Sequence, residues 1–280
     1  MHRTDRLNIV KITFLGTGTS LGVPIVACPC AVCASTDSRD KRMRSSVFIE
    51  VDGKNIVIDT GPDFRTQLLN NNIKRVDAIL ITHQHRDHMA GLDDIRTFNY
   101  MQKCAMPVYA NYLTVDSIRR DYYYCFGEPR YPGVPDIELH NVGDDPIDVL
   151  GITVTPINVL HYKLPVLGFR IKNFTYITDA SHIENSELEK IKGSNILVIN
   201  ALRKTEHLSH FSLPEALEVI EKVKPKRAFI THIGHEMGFH SETDASLPEG
   251  ARNTMPTSRM SLLWAVARRP YVWHRQLPIT

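Results

Sequence analysis

Short runs of apolar and mostly β-branched residues recur along the chain, and most of them end in a polar or ionisable residue. Runs of this kind, bounded by turn-forming residues, are typical of buried β-strands. We interpret nine of them as strands: IVKITFL near residue 12, SVFIEVD, KNIVIDT, DAILIT, ITVTPINV, LGFRI, FTYITD, NILVIN and RAFITH.

Three segments have a helical pattern instead: GLDDIRTFNYMQ, LTVDSIRRDYYYCF and SLPEALEVIEKV. The last opens with Ser212, has Pro214 in its first turn and Glu215 three residues after the serine, which is the signature of a capping box. The strands fall into two groups, one before residue 112 and one after residue 150. Two β-rich halves with helices outside predict an α/β protein with four layers, an αββα sandwich.

Length and composition are those of a globular protein, with 280 residues of which 42% are hydrophobic, enough to bury a large core. The net charge of +2 indicates no polyanionic partner. The N-terminal segment lacks the apolar core and cleavage site of a signal peptide. No apolar stretch approaches the roughly 20 residues of a membrane span. We therefore expect a cytoplasmic protein with no membrane partner.

The run THQHRDH follows the predicted strand DAILI, so its ionisable side chains emerge at a strand end. It holds three imidazoles and one carboxylate within six residues, namely His83, His85, Asp87 and His88. Imidazole nitrogens and carboxylate oxygens suit zinc, manganese or iron. The spacing H-x-H-x-D-H therefore predicts a metal site.

Three further candidate ligands follow later strands: His161, Asp179 and His232. Together with the run they make seven ligands, enough for two divalent metals that share one carboxylate. We expect the first metal on His83, His85 and His161, the second on Asp87, His88 and His232, and Asp179 as the bridge. Two metals roughly 3.5–4 Å apart hold the attacking and leaving oxygens of a displacement and make hydroxide available near neutral pH. The predicted chemistry is hydrolysis of a phosphodiester or an acyl bond.

Asp59 ends the strand KNIVIDT, just before Gly61. One interpretation is that its carboxylate accepts the second N–H of a ligand histidine and so fixes the imidazole. The other is a turn aspartate without such a contact.

Cys28, Cys30 and Cys33 form a C-x-C-x-x-C run, and the chain has five cysteines in all. An odd number with this spacing favours metal thiolates over a disulfide framework. A closed structural zinc site needs four ligands, and His235 in the segment THIGH is our candidate for the fourth. The alternative is that the three cysteines pack as small buried hydrophobic residues.

The segment HLSH precedes the capped helix. A histidine that lies near the metals without binding them can protonate a leaving alkoxide. His210 is our first candidate and His207 the second, with a surface position as the alternative for either. We expect the catalytic group to be His210 together with Asp87 and Asp179.

These motifs resemble those of the metallo-β-lactamase superfamily and, within it, the PhnP-like phosphodiesterases. The H-x-H-x-D-H run marks the superfamily. FLGTGTSLGVP before the cysteine run, VIDTGPDFR and THIGH are typical of the PhnP-like branch, and the likeness extends from residue 10 to about residue 250. It implies a metallo-β-lactamase-type αββα sandwich, a dinuclear manganese or zinc site, a separate zinc on the cysteines, and a histidine like His210 as the acid. It also implies cleavage of a small cyclic phosphodiester, such as a ribosyl 1,2-cyclic phosphate.

Residues 251–280 differ from the rest, with five arginines and both tryptophans but no Lys, Asp or Glu. The family often ends in Tyr-Asp-Gly soon after a Leu-Pro-x-Gly like that at residues 247–250. Codons for Asn253, Thr254 and Met255 can encode Tyr-Asp in another frame. We therefore expect one catalytic domain over residues 1–250 and a tail from a frameshift or read-through. A basic C-terminal helix around MSLLWAVARR is the alternative.

Three competing functions stay open. The tRNA 3′-processing nucleases share the ligands and FLGTG, but they would need a basic arm for the RNA backbone. Without its tail this chain is acidic by three charges. A cofactor-biosynthesis relative and a metal-binding scaffold without turnover are the others. We expect a small phosphodiester as the partner, no nucleic acid, and leave a homodimer open.

Overall fold

The computed structural model describes residues 10–127, 129, 131–254 and 258–262. The elements up to residue 141 are β1 (Val10–Gly16), α1 (Ala31–Ala34), β2 (Ser46–Val51), β3 (Lys54–Ile58), α2 (Phe64–Asn70), β4 (Ala78–Leu80), α3 (Arg86–Met89), α4 (Arg96–Gln102), β5 (Met106–Ala110), α5 (Tyr112–Asp121) and β6 (Ile137–Asn141). Those after it are β7 (Ile147–Val149), β8 (Ile152–His161), β9 (Leu164–Ile171), β10 (Phe174–Tyr176), β11 (His182–Ile183), α6 (Asn185–Ile191), β12 (Ile196–Asn200), α7 (Leu213–Val223), β13 (Arg227–Thr231), α8 (His240–Ser246), β14 (Ala251–Asn253) and β15 (Ser258–Leu262).

The strands form two sheets. The first has the order β15-β1-β2-β3-β4-β5-β6, and the second the order β11-β8-β9-β10-β12-β13-β14, with β7 beside β8. From β3 to β6 the strands of the first sheet are parallel. In the second sheet β10, β12, β13 and β14 are parallel. Because β8 and β9 are antiparallel, as are β9 and β10, β8 points in the same direction as β10.

The side chains of β12 show how the layers pack. Ile196 and Val198 belong to the core between the two sheets, whereas Leu197 and Ile199 belong to the core that also contains residues of α6 and α7. All four are fully buried. Successive side chains of a strand point to opposite faces, so a strand buried on both faces is a continuous apolar run. A third core joins the other face of the first sheet to α2, α4 and α5. The predicted αββα sandwich is confirmed.

The predicted elements lie where the sequence pattern placed them. All nine strands are present, and the three helical segments contain α4, α5 and α7. The capping box of α7 is formed, and the Ser212 N–H donates to Glu215 Oε2 at 2.7 Å. The predicted division into two groups of strands is wrong in one respect. The first sheet also contains β6 and β15, which lie after residue 112.

The end of the described chain differs from one expectation. Residues 258–262 form β15, which pairs antiparallel with β1, so a helix that includes residues 260–262 is wrong. The reason is that the outer edge of β1 offers backbone hydrogen bonds to an added strand. β14 likewise adds to β13, so both sheets extend past residue 250, where the predicted domain ends. Residues 263–280 of the predicted tail lie outside the described residues.

Among the described residues no helix is both long enough and apolar enough to cross a membrane.

Candidate metal centres

The candidate ligands lie at one end of the strands that carry them. Asp59 and His232 directly follow β3 and β13, His161 is the last residue of β8, and His83 and Asp179 come three residues after β4 and β10. Within each sheet these strands point in the same direction, so their carboxyl ends share one edge of the sandwich. Ligand sites of open α/β sheets lie outside this edge.

Three of these residues have an unusual backbone. Asp59, Asp179 and His232 have φ angles of 65°, 59° and 54°, in the left-handed region. Such a conformation costs a residue with a side chain about 1–2 kcal/mol and persists only where the surroundings hold it in place. The fold therefore directs these three side chains into the site at some cost in stability.

Four predicted ligands form one compact group: Asp87, His88, Asp179 and His232, with donor atoms within 4.8 Å of one another. His88 Nε2 lies 3.0 Å from Asp87 Oδ2 and 3.3 Å from Asp179 Oδ1. His232 Nε2 lies 3.2 Å from Asp179 Oδ2. Ligand atoms about 2.0–2.2 Å from a shared metal are about 3 Å apart, so this spacing fits a coordination shell.

The orientation of His88 supports the same conclusion. Its Nδ1 lies 2.7 Å from Asp59 Oδ2, and the carboxylate also accepts bonds from Thr82 N at 2.8 Å and Thr82 Oγ1 at 3.0 Å. Because a carboxylate accepts, His88 Nδ1 is the donor in this contact, and Nε2 faces Asp87 and Asp179. His88 Nε2 is buried and makes no hydrogen bond. A cation is the partner that this arrangement fits.

The pKa shifts of the ligand residues also indicate that the site needs positive charge. Burial alone lowers the pKa of His88, but Asp179, Asp59 and Asp87 outweigh it and raise that pKa well above its usual range. Burial alone raises the pKa of Asp179, but His232 and His88 hold it well below its usual range. The carboxylates of Asp87 and Asp179 therefore stay ionised in a buried site, where protons on the histidines or a divalent metal would balance their charge.

A second donor group, which shares Asp179 with the first, consists of His161, Asp179 and His210. His161 Nδ1 donates to the carbonyl of Ser209 at 2.6 Å, which leaves Nε2 free as a ligand atom. His210 Nδ1 is buried without a hydrogen bond, 3.9 Å from Asp179 Oδ2. Burial and the neighbouring His232 lower the pKa of His210 to about 3.

His83 and His85 lie beside this second group. His83 Nε2 is 3.0 Å from His85 Nδ1, and the two ring centroids lie 5.8 Å and 5.1 Å from that of His161. Thr82 Oγ1 is 3.0 Å from His83 Nδ1. The structure thus brings the three histidines predicted for the first metal together. The compact donor group on this side, however, contains His210, which sequence reasoning assigned to proton transfer.

His207, the second candidate acid, is further out. Its ring centroid is 5.2 Å from that of His210, and its Nδ1 accepts the Ser209 N–H at 3.3 Å. Burial and the neighbouring Arg203 lower its pKa.

The cysteine run forms a separate cluster with His235. Nδ1 of His235 lies 3.4, 3.3 and 3.5 Å from the Sγ atoms of Cys28, Cys30 and Cys33. Tetrahedral zinc with bonds of about 2.3 Å to sulfur and about 2.0 Å to nitrogen puts these atoms about 3.5 Å apart. The N–H of Cys33 helps to lower the pKa of Cys30 to about 6, which favours a thiolate near neutral pH. The four side chains fit a closed zinc site.

Sequence reasoning missed the side chains that hold the ligands. Thr178 Oγ1 donates to Asp179 Oδ1 at 2.6 Å, and Thr82 contacts both Asp59 and His83. A signal was present, because Thr82, Thr178 and Thr231 each end an Ile-Thr pair directly before a ligand.

Comparison with known proteins identifies the family. Residues 54–233 match the family model of the beta-lactamase superfamily domain. A crystal structure of a new diphosphatase from the PhnP family superposes with a TM-score of 0.86 and 37% identity, over 91% of this chain and 98% of that one. The chain belongs to the PhnP branch of the metallo-β-lactamase superfamily.

Other similar proteins are named for different activities. This PhnP-branch protein is 41% identical to an octanoyltransferase of Porphyromonas gingivalis, over 85% of this chain and 49% of that protein. It is 29% identical to a ribonuclease Z of Bradyrhizobium diazoefficiens, over 56% of this chain and 48% of that enzyme. The chain thus spans about half the length of these two relatives. Zinc-bound PqqB of Methylobacterium extorquens, 17% identical over 90% of this chain and 100% of that one, shares the fold with a TM-score of 0.73.

Proposed function

We propose that this protein is a metal-dependent phosphodiesterase that hydrolyses a small, cyclic phosphodiester. The observation that carries the proposal is that Asp179 belongs to both donor groups of the site, as a carboxylate shared by two metals would. When two divalent metals are bound, such a site supplies hydroxide near neutral pH and offsets charge on the phosphate oxygens. The PhnP-family diphosphatase supports chemistry at phosphorus.

The side chains of the chain have distinct tasks in this proposal. Asp59 keeps the proton of His88 on Nδ1, and the carbonyl of Ser209 does the same for His161, so that both rings present Nε2 to the metals. Thr178 orients the carboxylate of Asp179. We propose zinc or manganese for the His and Asp ligands and zinc for the cysteine cluster, from the chemistry of the donors. A cytoplasmic location fits five free cysteines.

His210 is the group that we assign to protonation of the leaving oxygen. Its ring centroid lies 4.5 Å from that of His161 in the second donor group, to which His210 itself belongs, and 4.8 Å from that of His232 in the first. Burial keeps the free ring neutral. An anionic phosphodiester beside the ring raises its pKa, because a nearby negative charge favours the protonated form. Proton transfer of this kind contributes about 10²- to 10⁴-fold to a rate.

A second candidate is hydrolysis of an acyl ester or thioester. It is favoured by the 41% sequence identity with an octanoyltransferase over about half of that protein's length. Metal analysis combined with three substrates separates the candidates: bis-p-nitrophenyl phosphate, an octanoyl thioester and a precursor tRNA. We expect metal-loaded protein to cleave the diester. Cleavage of the thioester but not of the diester would contradict the phosphodiesterase assignment. Processing of the tRNA as fast as the diester would assign the nuclease alternative.

Replacing His210 with Ala tests its role. We expect turnover of the diester to fall by about 10²- to 10⁴-fold, with the metal content of the protein unchanged. His182→Ala is the matched control, because His182 is exposed and bonds Glu184; we expect it to change neither quantity. Loss of metal from His210→Ala would show that His210 is a ligand and that its assignment as an acid is wrong.

A further inference from the structure

The position of Asp179 affects both candidate metal groups, because Asp179 belongs to each of them. Its two carboxylate oxygens face different histidines, His88 at 3.3 Å and His232 at 3.2 Å. Its backbone is left-handed, and the residue is almost fully buried. A small rotation about this backbone would move both oxygens, so the peptide that follows Asp179 must be held firmly.

Asn200 holds that peptide. It is the last residue of β12 and is fully buried. Its Oδ1 accepts the N–H of Ala180 at 2.8 Å, and its Nδ2 donates to the carbonyl of Ala180 at 2.9 Å. Both polar groups of the residue after Asp179 are thus bound by a single side-chain amide. A side-chain amide can do this because it has an acceptor and a donor on one planar group.

The same carbonyl ties Asp179 to His210. Ala180 O also accepts the N–H of Phe211 at 2.7 Å, and Phe211 directly follows His210. Phe211 O in turn accepts the N–H of Leu202, two residues after Asn200. The backbones next to Asp179 and His210 therefore meet at one carbonyl, and Asn200 fixes its place.

We propose that Asn200 is a positioning residue: it sets the placement of Asp179 for binding of the active-site metals and, through Ala180, the placement of His210 beside them. This inference rests on the proposed function only in taking Asp179 as a shared ligand. The side-chain hydrogen bonds of Asn200 go to Ala180 and not to a predicted ligand, so Asn200 acts through the residue that follows Asp179. Loss of a side chain that orients a ligand costs about 10- to 100-fold in metal affinity.

Two substitutions test this role. Asn200→Asp keeps the shape and the acceptor but replaces the Nδ2 donor with an oxygen that repels the Ala180 carbonyl. Asn200→Ser removes the two-point contact without adding charge. Asn141→Asp is the matched control, because Asn141 also ends a strand, β6, but is exposed. Manganese is titrated into protein that carries one zinc per chain, in the cysteine cluster, so that the active-site metals are the ones measured. Elemental analysis gives the zinc content.

We expect both Asn200 variants to keep one zinc per chain in the cysteine cluster and to bind manganese about 10- to 100-fold more weakly. The electron paramagnetic resonance spectrum of bound manganese should change from a coupled pair to isolated ions, because the bridge is displaced. Asn141→Asp should match the unmodified protein in each measurement.

Manganese affinity and spectrum unchanged in both variants would overturn the proposal. Loss of the cysteine-bound zinc and of secondary structure in both variants would also overturn it, since Asn200 would then support the fold in general. If the unmodified protein binds coupled manganese but cleaves no diester, the proposed function fails while the positioning role is still decided by these titrations.

Discussion

At the scale of single residues, the closest backbone approach in the site involves Gly61. A Cβ atom at Gly61 would lie 2.0 Å from the carbonyl oxygen of Asp87, and one at Gly91 would lie 2.2 Å from the carbonyl oxygen of Gly61. The loop after β3 thus packs directly on the start of α3, which carries Asp87 and His88. No side chain fits between these backbones, so glycine at residue 61 brings Asp59 within reach of His88.

Gly61→Ala should therefore destabilise the protein by at least about 2 kcal/mol, because the backbone of Asp87 must move. Urea unfolding measures the loss. We also expect the active-site metals to bind more weakly while the cysteine-bound zinc is kept. Gly143→Ala is the control, since nothing lies within 4 Å of a Cβ there, and it should stay within about 0.5 kcal/mol. Equal effects of both substitutions would contradict this account.

The sequence predicted the ligands better than the residues that orient them. His83, His85, Asp87 and His88 stand in one recognisable spacing, and the structure brings all four into the site. Asn200 carries no such spacing, because its role depends on a contact between β12 and the loop after β10. The compact group that includes His210 was also unexpected, since ring positions depend on packing between elements.

At the scale of elements, the capping box and the hydrophobic face of α7 are visible in the sequence and are present in the structure. Its hydrophobic face, with Ala216, Val219 and Val223, packs in the core on the outer face of the second sheet. Its first turn is closed by Ser212 and Glu215. The helix directly follows the loop of His210, so its start fixes one end of that loop.

Ser212→Ala should lower stability by about 1 kcal/mol, since it removes an N-cap side chain. For a protein of this size the melting temperature should fall by about 2–4 °C, as measured by circular dichroism. Ser186→Ala, on the exposed surface of α6, is the matched control and should leave the melting temperature unchanged within error. A fall of the same size in Ser186→Ala would count against the capping box.

Elements with weak local signals were missed for physical reasons. β5 contains Pro107, which disfavours a strand by propensity, and β6 has only five residues, of which Ile137 alone is buried. Their pairing partners, rather than their own sequences, define them. β15 is the clearest case, because the free edge of β1 recruits a segment whose composition had suggested a helix.

At the scale of the whole molecule, the cysteine cluster joins distant parts of the chain. It ties residues 28–33 to His235, which lies three residues after His232. Backbone bonds reinforce the tie, with Ile233 N donating to Thr17 O at 2.9 Å and Thr19 N donating to Ile233 O at 3.2 Å. The N-terminal loop and the loop that carries His232 and His235 are therefore joined by both side-chain and backbone contacts.

Cys30→Ser should release the zinc that we propose for this cluster and lower the melting temperature by about 10 °C, because a metal that binds the folded state stabilises it. Zinc analysis and thermal unfolding check the result. Cys104→Ser is the control, since Cys104 is exposed and lies outside the candidate metal groups of the described residues. An unchanged zinc content in Cys30→Ser would show that Cys30 is not a ligand.

The short spacing between His232 and His235 has a consequence for biosynthesis. Both proposed centres take their last candidate ligand from one four-residue stretch, residues 232–235, whereas their first candidate ligands, Cys28 and His83, are made roughly 200 and 150 residues earlier. On the ribosome the two centres would stay incomplete together and close almost simultaneously, once that stretch leaves the exit tunnel. A polypeptide stalled before residue 232 would then be unable to assemble either proposed centre in full.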